Sequence, residues 1–244
     1  MRSLTSSLTV AAVYLASSLL FTDFRHVFEF NPDEGNNLVK ALLLQQGLSF
    51  SSGIWSDQPP LFAYALVWCF ELFGTEIAVA RGLVLISSAL LVFALHDSVR
   101  KLAAPRFGTA AAQLGAALAV ACLLLSARFA PLRVSVLIGI PSIALLSLAL
   151  WAALSAGFCE LPERTRARYQ LAAGVCLGLS LAIKLFTLFV APIVYLALLA
   201  PELTQLRAAG VRALIRPTAR FATGLALVVL AVFAPLSGDA FLEL

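Results

Sequence analysis

Long apolar runs separated by short polar links make up most of the chain. They fall at about 4–21, 59–73, 77–96, 109–127, 134–157, 170–200 and 220–236. An α-helix needs about 20 apolar residues to cross a hydrocarbon core of about 30 Å, and several runs meet that length. The run at 170–200 is too long for one span and carries Lys184 near its middle and Pro192 beyond. It is expected to break at Lys184 into two shorter helices, giving eight apolar segments. After the first run the chain passes directly into Thr22-Asp23-Phe24-Arg25. With no small-x-small cleavage pattern there, that run reads as an uncleaved first transmembrane helix.

Composition agrees with the pattern. Of 244 residues, 61% are hydrophobic and 12% charged, and the mean hydropathy is +0.96. Ordinary globular chains are about 45–50% apolar and about 25% charged, so this chain lacks the polar surface to cover a water-exposed globule. Soluble, disordered and fibrous classes are excluded. The net charge of +4 and pI near 9.1 read as an orientation bias across a membrane rather than as a nucleic-acid surface. Cys69, Cys122, Cys159 and Cys176 are far apart and show no metal spacing, so they read as small apolar fillers.

Three polar links are basic: Arg100, Lys101 and Arg106; Arg164, Arg166 and Arg168; and Arg207, Arg212, Arg216 and Arg220. Eight crossings cannot place all three on one side. If the segment 59–73, which begins Pro59-Pro60 and carries Glu71, does not cross, every basic link falls on the cytoplasmic side. The expectation is therefore an all-α polytopic membrane protein with seven spans and one interfacial or re-entrant helix at about 59–73. The N-terminus is then cytoplasmic and the C-terminus outside the cell membrane. This arrangement puts 11 Lys and Arg inside and six outside, with nine acidic residues outside and four inside.

The first outer loop, about 22–58, is the longest polar segment and holds Asn31-Pro32-Asp33-Glu34-Gly35-Asn36-Asn37. Long loops in a compact chain are commonly functional. Leu38 to Gln46 has the pattern of a short amphipathic helix. Asp33 has two readings: a helix cap, or a surface carboxylate able to act as general base or metal ligand. Glu34 doubles the local negative charge, which favours a divalent cation or a raised pKa on one of the pair. Asp57, before Gln58-Pro59-Pro60-Leu61, is either another cap or a third carboxylate of the same pocket. Lys184, between two apolar half-helices, is a functional candidate because ionisable groups inside membrane segments are expensive. Arg128 and Arg133 flank a short link and serve either as phosphate contacts or as snorkelling cations. Arg81, near a helix start, reads as interfacial, and His26 and His96 read as structural.

Asp33-Glu34, Ala41, Gly47, Asp57-Gln58-Pro59-Pro60-Leu61, Phe73-Gly74, Ala80-Arg81, Leu125-Ser126 and the helix Gly174 to Lys184 occur in that order. Together they resemble the GT-C membrane glycosyltransferases, in particular bacterial members related to protein O-mannosyltransferases and the lipid A aminoarabinose transferase. The resemblance covers nearly the whole chain as a single module. It implies transfer of a sugar from a polyprenyl-phosphate donor to an acceptor at the outer face. By family position Asp33 would be the base or a metal-binding carboxylate with Glu34 in support. Asp33 and Asp57 would hold a divalent metal (Mg, Mn or Zn), and Lys184, Arg128, Arg133 and Gln58 would contact the donor phosphate.

Two positions depart from the family pattern. Gln58 stands where relatives carry Lys before Pro-Pro-Leu, and Ser135 stands where many carry a second Asp. Relatives are also about twice as long, so the chain is expected to be an N-terminal module whose C-terminal half is absent, with a partner subunit as one way to complete it. A non-catalytic membrane subunit or scaffold with a degenerate GT-C fold is the alternative. A transporter is weaker, because the 22–73 pattern has no second copy.

Overall fold

The computed structural model describes residues 2–23, 31–50, 53–204 and 210–242, with side chains within 4–234. Arg25, His26, Glu29, Arg207 and Glu243 lie outside the described residues. Among the described residues nine α-helices follow one another: α1 (Arg2–Phe21), α2 (Pro32–Gln45), α3 (Leu61–Phe73), α4 (Ile77–Leu125), α5 (Phe129–Leu132), α6 (Gly139–Phe158), α7 (Glu163–Ile183), α8 (Ala191–Thr204) and α9 (Ile215–Leu242). Short 3-10 turns, Leu185–Val190 and Val211–Leu214, precede α8 and α9. No strand occurs among the described residues, and the protein is an all-α, multi-pass membrane protein.

Among the described residues five helices are long and apolar enough to cross a membrane, against the seven expected from the hydrophobic runs. Two physical causes account for the difference. The 49-residue α4 carries two of the expected spans in one helical element, bent at Gly108, whose φ of 78° and ψ of 168° leave the helical region. Pro105 just before it weakens the helical hydrogen bonding at the same place. α7 opens on Glu163, Arg164, Arg166 and Arg168 and is apolar only afterwards. α3 is 13 residues long, about 20 Å at 1.5 Å per residue, too short to cross the hydrocarbon by itself. The long run does break at Lys184, where the backbone is extended between α7 and the 3-10 turn.

Packing divides into two apolar clusters. Tyr14, Phe62, Leu66, Val84, Val136 and Ile140 join α1, α3, α4, α6 and the link before α6. Ala149, Ala152, Ala153 and Ala156 form a small-residue face on α6 against Leu177, Leu198 and Phe221 of α7, α8 and α9. Small faces let membrane helices approach closely, which supplies the dispersion contact that replaces the hydrophobic effect in lipid. The α7–α9 crossing is the tightest case. A methyl group on Gly174 would sit 2.0 Å from the Phe221 carbonyl oxygen, and one on Gly224 would sit 2.3 Å from that of Leu171.

A buried polar cluster ties α1, α4 and α6 together at the end of the bundle away from α2. Asp97, fully buried, accepts from Ser7 Oγ at 2.9 Å and Trp151 Nε1 at 2.7 Å, and pairs with Lys101 at 2.8 Å and with Arg100. His96 Nδ1 lies 2.8 Å from Ser7 Oγ. The buried Asp97 charge is met by two cations and two neutral donors, as a buried ionic group requires.

Candidate active site

The site begins at the start of α2. Asn31 caps the helix, its side-chain oxygen accepting the Asp33 N–H at 3.0 Å, and Pro32 takes the first helical position. Asn31 therefore does the capping that Asp33 was a candidate for. The Asp33 carboxylate is exposed and has no hydrogen-bond or ion-pair partner among the described residues. One face of α2 carries Asp33, Asn36, Asn37 and Lys40, spaced i, i+3, i+4 and i+7. The buried face carries Glu34 and Ala41.

Glu34 points away from the cavity that Asp33 lines. Its carboxylate is 1% exposed and receives Arg81 Nε at 2.9 Å and Nη2 at 3.0 Å, together with the Val136 backbone N–H at 3.0 Å. Arg81 is 4% exposed and so is an interior partner, not an interfacial cation. Asn37 Nδ2 donates to the Val136 carbonyl at 2.9 Å. Two successive turns of α2 thus hold both backbone groups of Val136, fixing α2 to the link that leads into α6.

A cavity of about 770 Å³ lies beside this clasp. Its walls are the polar face of α2, the segment around Trp55 to Gln58, the start of α6 at Gly139 and Ile143, and Lys184. The extended backbone of Lys184, φ −149° and ψ 114°, turns its side chain out of the α7 line. Below it, Ser180 Oγ donates to the Ser142 carbonyl at 2.8 Å, locking α7 to α6. Lys184 Nζ has no partner among the described residues.

Asp57 is held. Lys40 Nζ lies 3.7 Å from Asp57 Oδ1 and donates to Ser56 Oγ at 3.0 Å, while Gln58 Nε2 donates to Asp57 Oδ2 at 3.1 Å. The Gln58 hydrogen bond and the Lys40 ammonium keep the Asp57 carboxyl below the usual carboxylate range. Two carboxylates and two ammonium groups therefore line one cavity, with the Asp33 carboxylate and the Lys184 ammonium available to a ligand.

Asp33, Asp57, Gln58 and Lys184 come together around the cavity, whereas Glu34, Arg128 and Arg133 do not line it. Arg128 is exposed at the start of α5, and Arg133 Nη2 donates to Thr22 Oγ1 at 3.2 Å. Ser135 Oγ closes its own turn on the Pro131 carbonyl at 2.9 Å. Lys40 is the lining residue that pattern reading passed over, although its spacing seven residues after Asp33 puts both on one helical face. Among the described residues no group of three or more His, Cys, Asp and Glu side chains comes together.

No family model matches the sequence, and no curated protein matches it. Solved structures do match. The crystal structure of ArnT from Cupriavidus metallidurans in the apo state aligns with a TM-score of 0.66 and 21% identity, over 98% of this chain and 42% of that one. The structure of the same protein bound to undecaprenyl phosphate aligns with a TM-score of 0.64 and 20% identity, over 98% and 41%. The chain thus spans about two fifths of the length of the proteins it matches, and over that span it has an ArnT-like fold.

Proposed function

We propose that the chain is the donor-binding module of an integral-membrane glycosyltransferase that moves a sugar from a polyprenyl-phosphate donor to an acceptor hydroxyl or amine at the outer face. The observation that carries this reading is the pairing of an unpartnered carboxylate, Asp33, with an unpartnered ammonium, Lys184, across one cavity of a GT-C type fold. One of the matched structures holds undecaprenyl phosphate, the class of lipid this reading assigns as leaving group. In the step, the acceptor heteroatom forms a bond to the anomeric carbon and gives its proton to Asp33. The bond from that carbon to the phosphate oxygen breaks, and polyprenyl phosphate leaves with the electron pair. Lys184 meets the charge that grows on the departing phosphate. Glu34 takes no part in this chemistry; through Arg81 and Val136 it positions α2, and so Asp33, against α6. Arg128 and Arg133 stand outside the cavity as further cations at the same end.

A divalent ion, in this reading, would be held by Asp33 and by Asp57, the latter giving up its contacts to Lys40 and Gln58. Two carboxylates with room for donor phosphate oxygens suit Mg or Mn, whereas Zn favours the nitrogen and sulfur ligands that this cavity lacks. Such an ion would neutralise phosphate charge. In the same orientation the N-terminus is cytoplasmic and the protein sits in the cell (inner) membrane, where a partner subunit would supply the acceptor side.

Asp33→Asn tests the proposal. Transfer from a polyprenyl-phosphate sugar in proteoliposomes should fall by at least about 100-fold, the usual loss on removing a general base, with insertion and thermal unfolding unchanged. Full activity would remove Asp33 from the mechanism. One observation favours a second reading, a non-catalytic scaffold: Lys40 and Gln58 are spent on Asp57, and Ser135 on its own turn. Failure of the wild-type chain to bind undecaprenyl phosphate would favour that scaffold.

A further inference from the structure

A second cavity, of about 520 Å³, lies at the opposite end of α7, between the start of that helix, the end of α8 and the start of α9. Four guanidinium groups line it, those of Arg166, Arg212, Arg216 and Arg220, against the carboxylates of Glu163 and Glu202. Arg220 is used internally, donating to Glu163 at 2.8 Å and to Gln170 Oε1 at 2.9 Å. Arg212 and Arg216 make no hydrogen bond or ion pair among the described residues. Arg166 Nε is closed off from solvent without an acceptor, and Glu202 Oε2, in the same cavity, without a donor. Helix polarity sharpens the imbalance: Arg216 stands in the first turn of the 28-residue α9 and Arg212 in the 3-10 turn just before it, at the positive end of the helix dipole, where cations are disfavoured. Even with Glu202 counted, four guanidinium groups face two carboxylates, and the excess of two positive charges, two unpaired arginines and a helix start together describe a site for an anion.

Position identifies the source of that anion. Between Glu163 and Lys184, α7 rises about 31 Å at 1.5 Å per residue, close to the thickness of a hydrocarbon core of about 30 Å. The Arg cavity therefore opens at the headgroup level of the membrane face opposite the Asp33 cavity. Basic pockets between helices at that level suit lipid phosphates. We propose that this cavity binds the phosphate of an anionic phospholipid headgroup in the leaflet opposite the Asp33 site.

The test uses the purified full chain, with phosphatidylglycerol measured against phosphatidylcholine in mixed micelles at about 0.15 M salt, where diffuse surface attraction is screened beyond about 8 Å. Phosphatidylglycerol should raise the unfolding temperature and remain bound in native mass spectra. At about 1 kcal/mol per basic residue facing an anionic lipid, Arg212→Gln with Arg216→Gln should weaken that binding about 30-fold. The paired variant Arg164→Gln with Arg168→Gln removes the same charge from exposed positions outside the cavity and should leave the binding near the parent value. Equal loss in both pairs would show diffuse attraction and overturn the proposal. Stabilisation by inorganic phosphate equal to that by phosphatidylglycerol would overturn the lipid source. Circular dichroism of both pairs should match the parent; a misfolded Arg212/Arg216 pair is replaced by Arg216→Gln alone, expected to weaken binding about fivefold on the same scale.

Discussion

Glu34 and Arg81 lie 47 positions apart in sequence and meet in a two-pronged ion pair inside the bundle, with the Val136 N–H as a third donor to the same carboxylate. One carboxylate thereby gathers α2, α4 and the link before α6. Those are the elements that place Asp33 beside the start of α6, so the pair acts on the cavity from behind its wall.

Breaking the pair on one side leaves an enclosed charge. Glu34→Ala should destabilise the protein by about 3–5 kcal/mol, and Arg81→Ala by a similar amount. The double variant Glu34→Leu with Arg81→Met should recover much of that loss, because an apolar pair of similar volume removes both buried charges. Thermal unfolding in one detergent compares all four chains. Independent, additive losses would show that the two residues do not act together.

Lys184→Gln should weaken undecaprenyl phosphate binding by about 10- to 150-fold, on the scale of about 1.5–3 kcal/mol for a hydrogen bond to a charged group. Folding should be unaffected, since Lys184 Nζ has no partner in the described structure. Unchanged affinity would remove Lys184 from the phosphate site.

Gly174→Ala should destabilise by about 1–3 kcal/mol or more through overpacking, because its methyl group would meet the Phe221 carbonyl at 2.0 Å. Gly82→Ala has open space around its new methyl group and should be neutral or stabilising by up to about 1 kcal/mol. Parallel unfolding curves for the two variants separate helix approach from helix propensity.

Asp97→Asn should cost about 3–5 kcal/mol by stranding Arg100 and Lys101. Asp33→Asn should leave the unfolding temperature unchanged. Similar unfolding temperatures for the two variants would contradict the assignment of Asp97 to structure and Asp33 to the site.

Gln58→Leu removes the largest contribution holding the Asp57 carboxyl low, so its titration should move up toward 3.8. A depressed carboxylate contributes stability above its unfolded value and loses it as pH falls through the folded value. Parent and variant should therefore differ in pH response only in acid, around and below 3.8, with no pH-dependent difference between pH 6 and 8. Acid titration of each chain checks the sign.

Residues in one apolar run or one short motif could be read directly from the sequence. The break at Lys184 and the short α3 follow from run length, whereas α2 starts at Pro32 with Asn31 as its cap, six residues before the helix expected from Leu38 and with a cap other than Asp33. The partner of Glu34 could not be read this way. Adjacent carboxylates look alike in sequence, but neighbouring residues on a helix point about 100° apart, and only the packing against α4 decides which one is buried. The same blindness hid Arg81 as an interior partner, Asp97 as the centre of a charged cluster, and Lys40 as a cavity residue.

By itself the sequence determined that the chain is helical and lies in a membrane, because hydrocarbon imposes length and polarity on each segment separately. The tertiary structure decided which charges are spent on one another and which remain for a ligand. Ion pairing between distant segments depends on how helices cross, and no local pattern encodes that crossing.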